Sequence, residues 1–368
     1  MNRRWIGCLI ALLLTAVMLW AGISCRPGTD ITVLPGSDLV QRQLLRIWVT
    51  EAPGGGMRWL EQCLAAFEKQ YPGMMTYVRH VLPEDCLQAE TKPDVILHMP
   101  GDLAQPELLF LPLADDLPCD EALLRCGRWK GAQLGLPVCW SAWVLALDSA
   151  YDVAQAATPA PTTLLGRPAA TREALPTATP GYPAERVAAA ETALSAPKGG
   201  GLFTLAALLA DSKPALAAES LQSTPETVYQ AFLGRKTASA LITTGQMTAF
   251  ESLQRAGKGF PARMLIPETV VTDQVWLAGL CRDSEAARLL LSHLTGEESQ
   301  RRLTGQGLYG VDASRVLYMD GDAALVEAAA RRCLTAVNAY VPADDVAAAA
   351  WQAYGGGASL DDALLPLL

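Results

Sequence analysis

An α/β fold is what the chain predicts, and three observations carry the prediction. A β-rich apolar run at residues 44–50 leads through a glycine turn into an amphipathic helix at 57–71. Two further short apolar runs follow, at 76–81 and 94–98, giving the strand, helix, strand, strand rhythm of a parallel sheet. At 368 residues the chain is long for a single core and comfortable for two domains.

The segment ahead of the first strand sets the compartment. Asn2, Arg3 and Arg4 make a basic start, residues 5–21 are apolar, and Gly22, Ile23 and Ser24 lead to Cys25. That is the layout of an export signal. The small residues before Cys25 resemble a bacterial lipobox, with Gly22 where that motif opens with Leu. On this reading 1–24 is a signal peptide, Cys25 carries lipid, and 25–43 is a polar tether. The alternative is an uncleaved anchor, because the apolar run is about long enough to cross a bilayer. Both place the rest of the chain outside the cytoplasmic membrane of a bacterium.

The elements then follow in order. Leu60, Leu64, Phe67 and Tyr71 form one apolar stripe on the first helix, and Pro72-Gly73 stops it. Residues 135–140 and 143–147 read as an extended pair. From Ala157 the composition shifts, and 157–183 is a Pro/Thr/Ala-rich surface insertion or linker. Order resumes near 193, with a helix through 209 and another over 224–233, where Thr224 is the N-cap and Pro225 the first helical residue. Residues 238–243 form a strand, 270–280 an extended or mixed stretch, and helices are predicted at 286–294, about 322–336 and 344–354.

Charge and cysteine usage exclude several classes. The chain has 29 basic and 38 acidic residues, and loss of Arg3 and Arg4 with the leader would move the net charge from −9 to −11. No basic run offers phosphate contacts, so nucleic acid is not an expected partner. Of nine cysteines, Cys8 lies in the leader and Cys25 is the lipid site. The other seven show neither C-x-x-C nor a Cys/His cluster, so no metal or other cofactor is expected. Cys119 and Cys126 are the closest disulfide candidates, and most of the rest read as small hydrophobes. His80, His98 and His293 are scattered, and no nucleophile elbow, H-E-x-x-H or acidic pair appears. Asp115-Asp116 and Asp344-Asp345 read as solvated loop or helix-start acids. An enzyme is therefore not expected.

Binding features are more informative. Gly54-Gly55-Gly56 sits between strand and helix, where open α/β sheets meet ligands, although it lacks the P-loop Lys-Ser/Thr. Trp140, Trp143 and Trp276 lie beside polar pauses, where an indole can stack on a sugar or pack in a core.

Read in order, several segments resemble the extracellular solute-binding proteins of ABC importers, family 1, which includes many carbohydrate binders. Residues 46–50, the glycine turn and 64–73, ending at Tyr71-Pro72-Gly73, are similar to that family's first strand and F-E-x-x-Y-P-G helix end. Pro93-Asp94-Val95 is similar to its P-D-V strand. Residues 129–137 are similar to its G-K-x-Y-G-L-P approach to the hinge, with Gln133-Leu134 in place of the aromatic step. Residues 232–245 resemble its F-x-x-G-K-A-A-M strand, and 286–307 its late helix, with Leu290, Leu294, Glu298, Gln300 and Leu303 in place. The family's P-x-T-W-x-E-L helix is missing after Asp148, where the Pro/Thr-rich insertion stands instead.

The resemblance implies a two-lobed, periplasmic-binding-protein-like type II α/β fold with hinge crossovers. Lobe 1 would take residues 44–147, lobe 2 residues 148–265, and 266–368 would form the return crossover and C-terminal helices of lobe 1. It also implies capture of a small solute, a sugar or oligosaccharide, for ABC permease subunits, by a lipoprotein on the extracellular face of the cytoplasmic membrane. The alternative is a surface interaction or sensor protein that keeps the fold without transport. By position, the ligand-binding candidates are Glu51, Gly55, Gly56, Pro100, Gly101, Trp140, Thr244, Gln246, Asp273 and Trp276. Trp140, Gln246, Asp273 and Trp276 are expected to lie near one another at the cleft. Mass spectrometry of membrane fractions should find chains that begin at a lipid-modified Cys25; an intact Met1 leader would establish the anchor helix instead.

Overall fold

Strand β1 (Gln43–Val49) buries Leu45, Ile47 and Val49 on one face, the period of two that a pleated strand imposes. The computed structural model describes residues 43–114, 119–150, 194–197, 199–209, 216 and 223–368. Helix α1 (Gly56–Gln70) lays Trp59, Leu60, Cys63, Leu64 and Phe67 on that face of β1. Next come β2 (Met74–His80), α2 (Pro83–Gln88) and β3 (Val95–His98). β1 runs parallel to both β2 and β3, with Ile47 opposite Val78 on one side and Val95 on the other. Asp120 caps α3 (Glu121–Cys126), and the hairpin of β4 (Arg128–Trp129) and β5 (Ala132–Gln133) leads into β6 (Gly135–Trp140) and β7 (Trp143–Asp148). Both β6 and β7 are buried throughout.

The second half opens with β8 (Leu194–Ser195), α4 (Gly201–Leu208), α5 (Pro225–Leu233), β9 (Ser239–Thr243), α6 (Thr244–Arg255) and β10 (Ala262–Leu265). It continues through β11 (Val270–Thr272), β12 (Val275–Leu280), α7 (Glu285–Thr295), α8 (Glu297–Arg301) and α9 (Gly321–Arg332). It closes with β13 (Leu334–Ala336), α10 (Ala343–Gly355) and α11 (Leu360–Leu364). Thr224 caps α5 and Pro225 is its first residue, as the sequence predicts.

Two sheets organise these elements. The first has the order β2-β1-β3-β12-β6 and the second β10-β7-β9-β8. The first is mixed rather than wholly parallel, because β12 enters antiparallel to both β3 and β6. The chain leaves the first sheet between β6 and β7, over Ser141 and Ala142, and re-enters it at β12, over Asp273 and Gln274.

The structure differs from the sequence reading in further places: β7, expected with the first lobe, pairs with β9 and β10 in the second sheet. The helix expected over 322–336 stops at Arg332, and Leu334–Ala336 becomes β13, parallel to β11. Backbone pairing there, extended by the Val337 amide donating to the Thr272 carbonyl at 2.9 Å, outweighs the local helical preference of alanine. The C-terminal helices were expected with the first lobe. Instead, α10 and α11 share a core with Trp143, Leu145, Leu202 and Leu241 on the side of the second sheet. Finally, Cys119 and Cys126 are free thiols, not a disulfide. Cys126 is buried among apolar side chains at the end of α3, whose N-cap Asp120 separates the two.

His98 ends β3 fully buried, stacked on Phe110 at 5.3 Å between ring centres, with Tyr340 at 5.7 Å. Burial lowers its pKa from 6.5 to about 4. The folded chain therefore keeps the ring neutral where the unfolded chain takes up a proton. Stability should be intact above about pH 6.5 and fall as pH drops toward 4, by on the order of 3 kcal/mol in full. Denaturation midpoints measured across this range should show the fall in wild type and a flattened limb in His98→Phe; identical limbs would contradict the assignment.

Candidate functional site

The two crossovers are bonded to each other. The Ser141 amide donates to the Gln274 carbonyl at 2.8 Å, and the Thr272 hydroxyl donates to the Ser141 carbonyl at 2.6 Å. Trp140 and Val275 lie opposite each other across β6 and β12. Asp273 sits at the bend between β11 and β12. Its Oδ1 accepts from Trp143 Nε1 at 2.7 Å, and its Oδ2 from the Gly200 amide at 2.9 Å, just before α4.

Beside Asp273 is a cavity of about 180 Å³, whose other walls are Pro100, Gly199 and the first turn of α10 at Ala343, Asp344 and Ala347. Two further carboxylates lie close by. Asp102 accepts from the Thr50 hydroxyl at 2.5 Å and from the Met99 amide at 3.0 Å; burial raises its pKa, and these bonds oppose the rise. The Glu51 carboxyl is also held above the usual carboxylate range, first by desolvation and then by the charges of Asp102 and Asp273. The ends of β1 and β3 and the return crossover thus bring three carboxyl groups within electrostatic reach. Among the described residues, no set of three His, Cys, Asp or Glu is arranged to hold a metal ion.

The sequence candidates divide into two groups. Pro100 and Asp273 line the cavity, and Glu51 adds its charge. Gly101 (φ 87°) donates its amide to the Ala339 carbonyl at 2.8 Å, which ties the loop after β3 to the approach to α10. The others serve the fold. Trp140 is buried, stacked on Tyr309 at 4.5 Å, and donates Nε1–H to the Gly310 carbonyl. Trp276 is buried against Trp59 at 6.1 Å and donates to the Glu51 carbonyl. Thr244 is buried and donates to the Gly307 carbonyl at 2.8 Å. Gln246 closes a capping box with Thr243 and spends its amide on the Pro225 carbonyl at 3.0 Å. Gly55 (φ 86°) starts α1 and packs on Gln306, and Gly56 packs on Pro53 and Trp276.

Of the four residues expected to cluster, Trp140, Gln246 and Trp276 have their side chains engaged within the protein, while Asp273 lines the cavity. Val275, two residues beyond Asp273, pairs with Trp140, but both indoles and the Gln246 amide face partners within the protein. A hollow beside Trp140 and Tyr309, lined also by Asp312 and Arg315, measures about 30 Å³, no more than a water needs. Missed from the sequence were Gly199, Ala343, Asp344, Val346 and Ala347. Asp344-Asp345 was legible as a helix start, but nothing in the sequence showed that the start faces Asp273.

No protein-family model matches the chain. No curated protein sequence matches it either. Solved structures do. The maltose-maltodextrin binding protein of Alicyclobacillus acidocaldarius is 14% identical, with a TM-score of 0.55, covering 88% of this chain and 98% of its own. Maltose-bound MalE3 of T. maritima, also 14% identical, gives a TM-score of 0.59 at 88% and 98% coverage. An ABC substrate-binding protein from Listeria monocytogenes in complex with cycloalternan is 12% identical, with a TM-score of 0.56 and coverage of 88% and 97%. The chain has the type II periplasmic-binding-protein fold. In this type II fold, the paired crossovers described above are the connections between the two sheets, and Asp273 sits on the second of them.

Asp273 should matter for stability as well as for the cavity. Asp273→Ala would leave Trp143 Nε1–H and the Gly200 amide without their acceptor, at a cost of roughly 2–3 kcal/mol. Urea denaturation should show this loss together with altered Trp143 emission; an unchanged midpoint would show that the carboxylate does not hold α4 to the crossover.

Proposed function

We propose that the chain is a membrane-tethered extracellular solute-binding lipoprotein that captures a small polyhydroxylated solute for an ABC importer. The observation that carries this reading is the cavity beside Asp273. It opens at the crossover between two α/β sheets, in a fold whose solved examples include maltose and cycloalternan binders. The fixed Asp273 carboxylate accepts hydroxyl donors, and Pro100, Val346 and Ala347 supply apolar wall. Binding rather than covalent chemistry is the activity. The lobes are read as joined at the Ser141 and Asp273 crossovers, so that β7, expected in the first lobe of 44–147, goes with 148–265 in the second, and α10 and α11 are assigned to the second lobe on their packing. The leader through Cys25 lies outside the described residues, and no helix among those residues is long and apolar enough to cross a membrane. Tethering, lipid and permease partners rest on the sequence.

A second reading has an observation of its own. Trp140, Thr244, Gln246 and Trp276 are spent on internal contacts, which would suit a sensor or scaffold that keeps the fold without transport. Thermal unfolding with a panel of neutral sugars separates the two. A solute present at a hundred times its dissociation constant stabilises the native state by about 2.7 kcal/mol, so the melting temperature should rise by a few degrees. No rise with any sugar, for a chain that unfolds cooperatively, favours the scaffold.

A further inference from the structure

We propose that the uncovered face of β1 and β2 rests on an anionic lipid surface, that of the membrane to which the chain is tethered. This builds on the reading of the chain as a tethered lipoprotein and is independent of the cavity.

The two faces at this end of the first sheet are covered unequally. On one, Leu45, Ile47 and Val49 of β1 lie under α1, with Met74 and Val78 of β2 packed against the same core. Side chains alternate along a strand, so Leu44, Arg46 and Trp48, with Met75, Tyr77 and Arg79, project from the other face. Pairing sets them side by side: Leu44 with Met75, Arg46 with Tyr77, Trp48 with Arg79. Among the described residues, only the far end of this face is covered. There Trp48 is buried in one cluster with Ile96 and with Cys86 of the short helix α2. At the near end Leu44 is 47% exposed, Met75 43% and Tyr77 55%. Single exposed apolar residues are ordinary, but three in register on adjacent strands form one continuous patch.

Two observations point to lipid as its partner. The first is where the tether joins. The Gln43 amide donates to the Gly73 carbonyl at 2.8 Å, so the preceding segment meets the fold one residue from Leu44 and beside the start of β2. A tether over 25–43 spans at most roughly 60 Å when fully extended. The end of the lobe that carries the patch is thus the end held by the anchor. The second observation is charge. Arg46 and Arg79 are exposed, and neither has an ion pair among the described residues. The neighbouring carboxylates are occupied by the sheet itself: Asp94 Oδ2 accepts from the Arg46 amide at 2.7 Å, and Glu68 Oε1 from the Thr76 amide at 2.6 Å. Arginine pairs with phosphate, tyrosine settles at headgroup depth, and leucine and methionine enter the acyl boundary.

The test takes the mature chain, purified from membranes, into phosphatidylglycerol vesicles that carry a diazirine-tagged phosphatidylglycerol, and maps labelled residues by mass spectrometry. Labels should fall on 44–46 and 75–79. Arg46→Gln/Arg79→Gln should cut that labelling on the order of tenfold, as loss of two headgroup contacts implies, with the melting temperature in detergent unchanged. Phosphatidylcholine vesicles should lower wild-type labelling similarly. Labels confined to 25–42 or scattered over the surface overturn the inference and leave the tether standing, as does labelling that ignores the arginine substitutions. A dimer in sedimentation that is lost in Tyr77→Ser would assign the patch to a second copy and also overturn it. A chain without lipid on Cys25 defeats the tether; label on the patch then upholds the lipid contact alone, and no label defeats both.

Discussion

A chain of hydroxyl hydrogen bonds at the crossovers holds the rest of the structure in place. Thr244 has one hydroxyl proton and donates it to the Gly307 carbonyl, so its 2.9 Å contact with Ser141 must be made with the Ser141 proton. The direction is thus fixed: Ser141 to Thr244 to Gly307. Alongside, Thr272 donates to the Ser141 carbonyl and accepts from the Gln274 amide at 2.9 Å. All three hydroxyl residues are buried, and an unpaired buried hydroxyl is costly, so the network holds only with every member in place. It joins the outgoing crossover, the return crossover, the start of α6 and the turn before Tyr309 at one point. The two sheets owe their relative placement to it, and so does Asp273, one residue beyond Thr272.

Much of this frame was legible because its signals are local. The first helix shows its stripe and its Pro72-Gly73 stop, and α5 shows Thr224 and Pro225 in the positions that capping chemistry requires. The order of β1, α1, β2 and β3 follows from apolar runs bounded by turn residues. What escaped was set by distant partners. β13 is a strand because β11 lies beside it, and the antiparallel entry of β12 depends on two neighbours from elsewhere in the chain.

The site was harder to read, for a related reason. Thr243-x-x-Gln246 is a capping box in plain sequence, and it accounts for both polar side chains at the start of α6 without any solute. Tryptophan next to a polar residue fits stacking on a sugar as well as stacking on Tyr309, and only tertiary structure separates the two. Asp273 was expected on the return crossover, and the structure places it at the bend between β11 and β12. Its bonds to Trp143 and Gly200 give it a structural role, yet they leave it on the cavity wall.

The two jobs of Asp273 are coupled. Burial raises the Glu51 pKa first, and repulsion from the charges of Asp102 and Asp273 adds to the rise, each carboxyl group coming from a different segment. Whatever brings those segments together works against that repulsion, and a solute that donates hydroxyl protons to Asp273 works in its favour. Differential affinity for the closed arrangement is all that a ligand needs to shift a hinge. Because Asp273 is also bonded to Trp143 on β7 and to the Gly200 amide before α4, a change in its hydrogen bonding acts directly on the elements that flank the crossover.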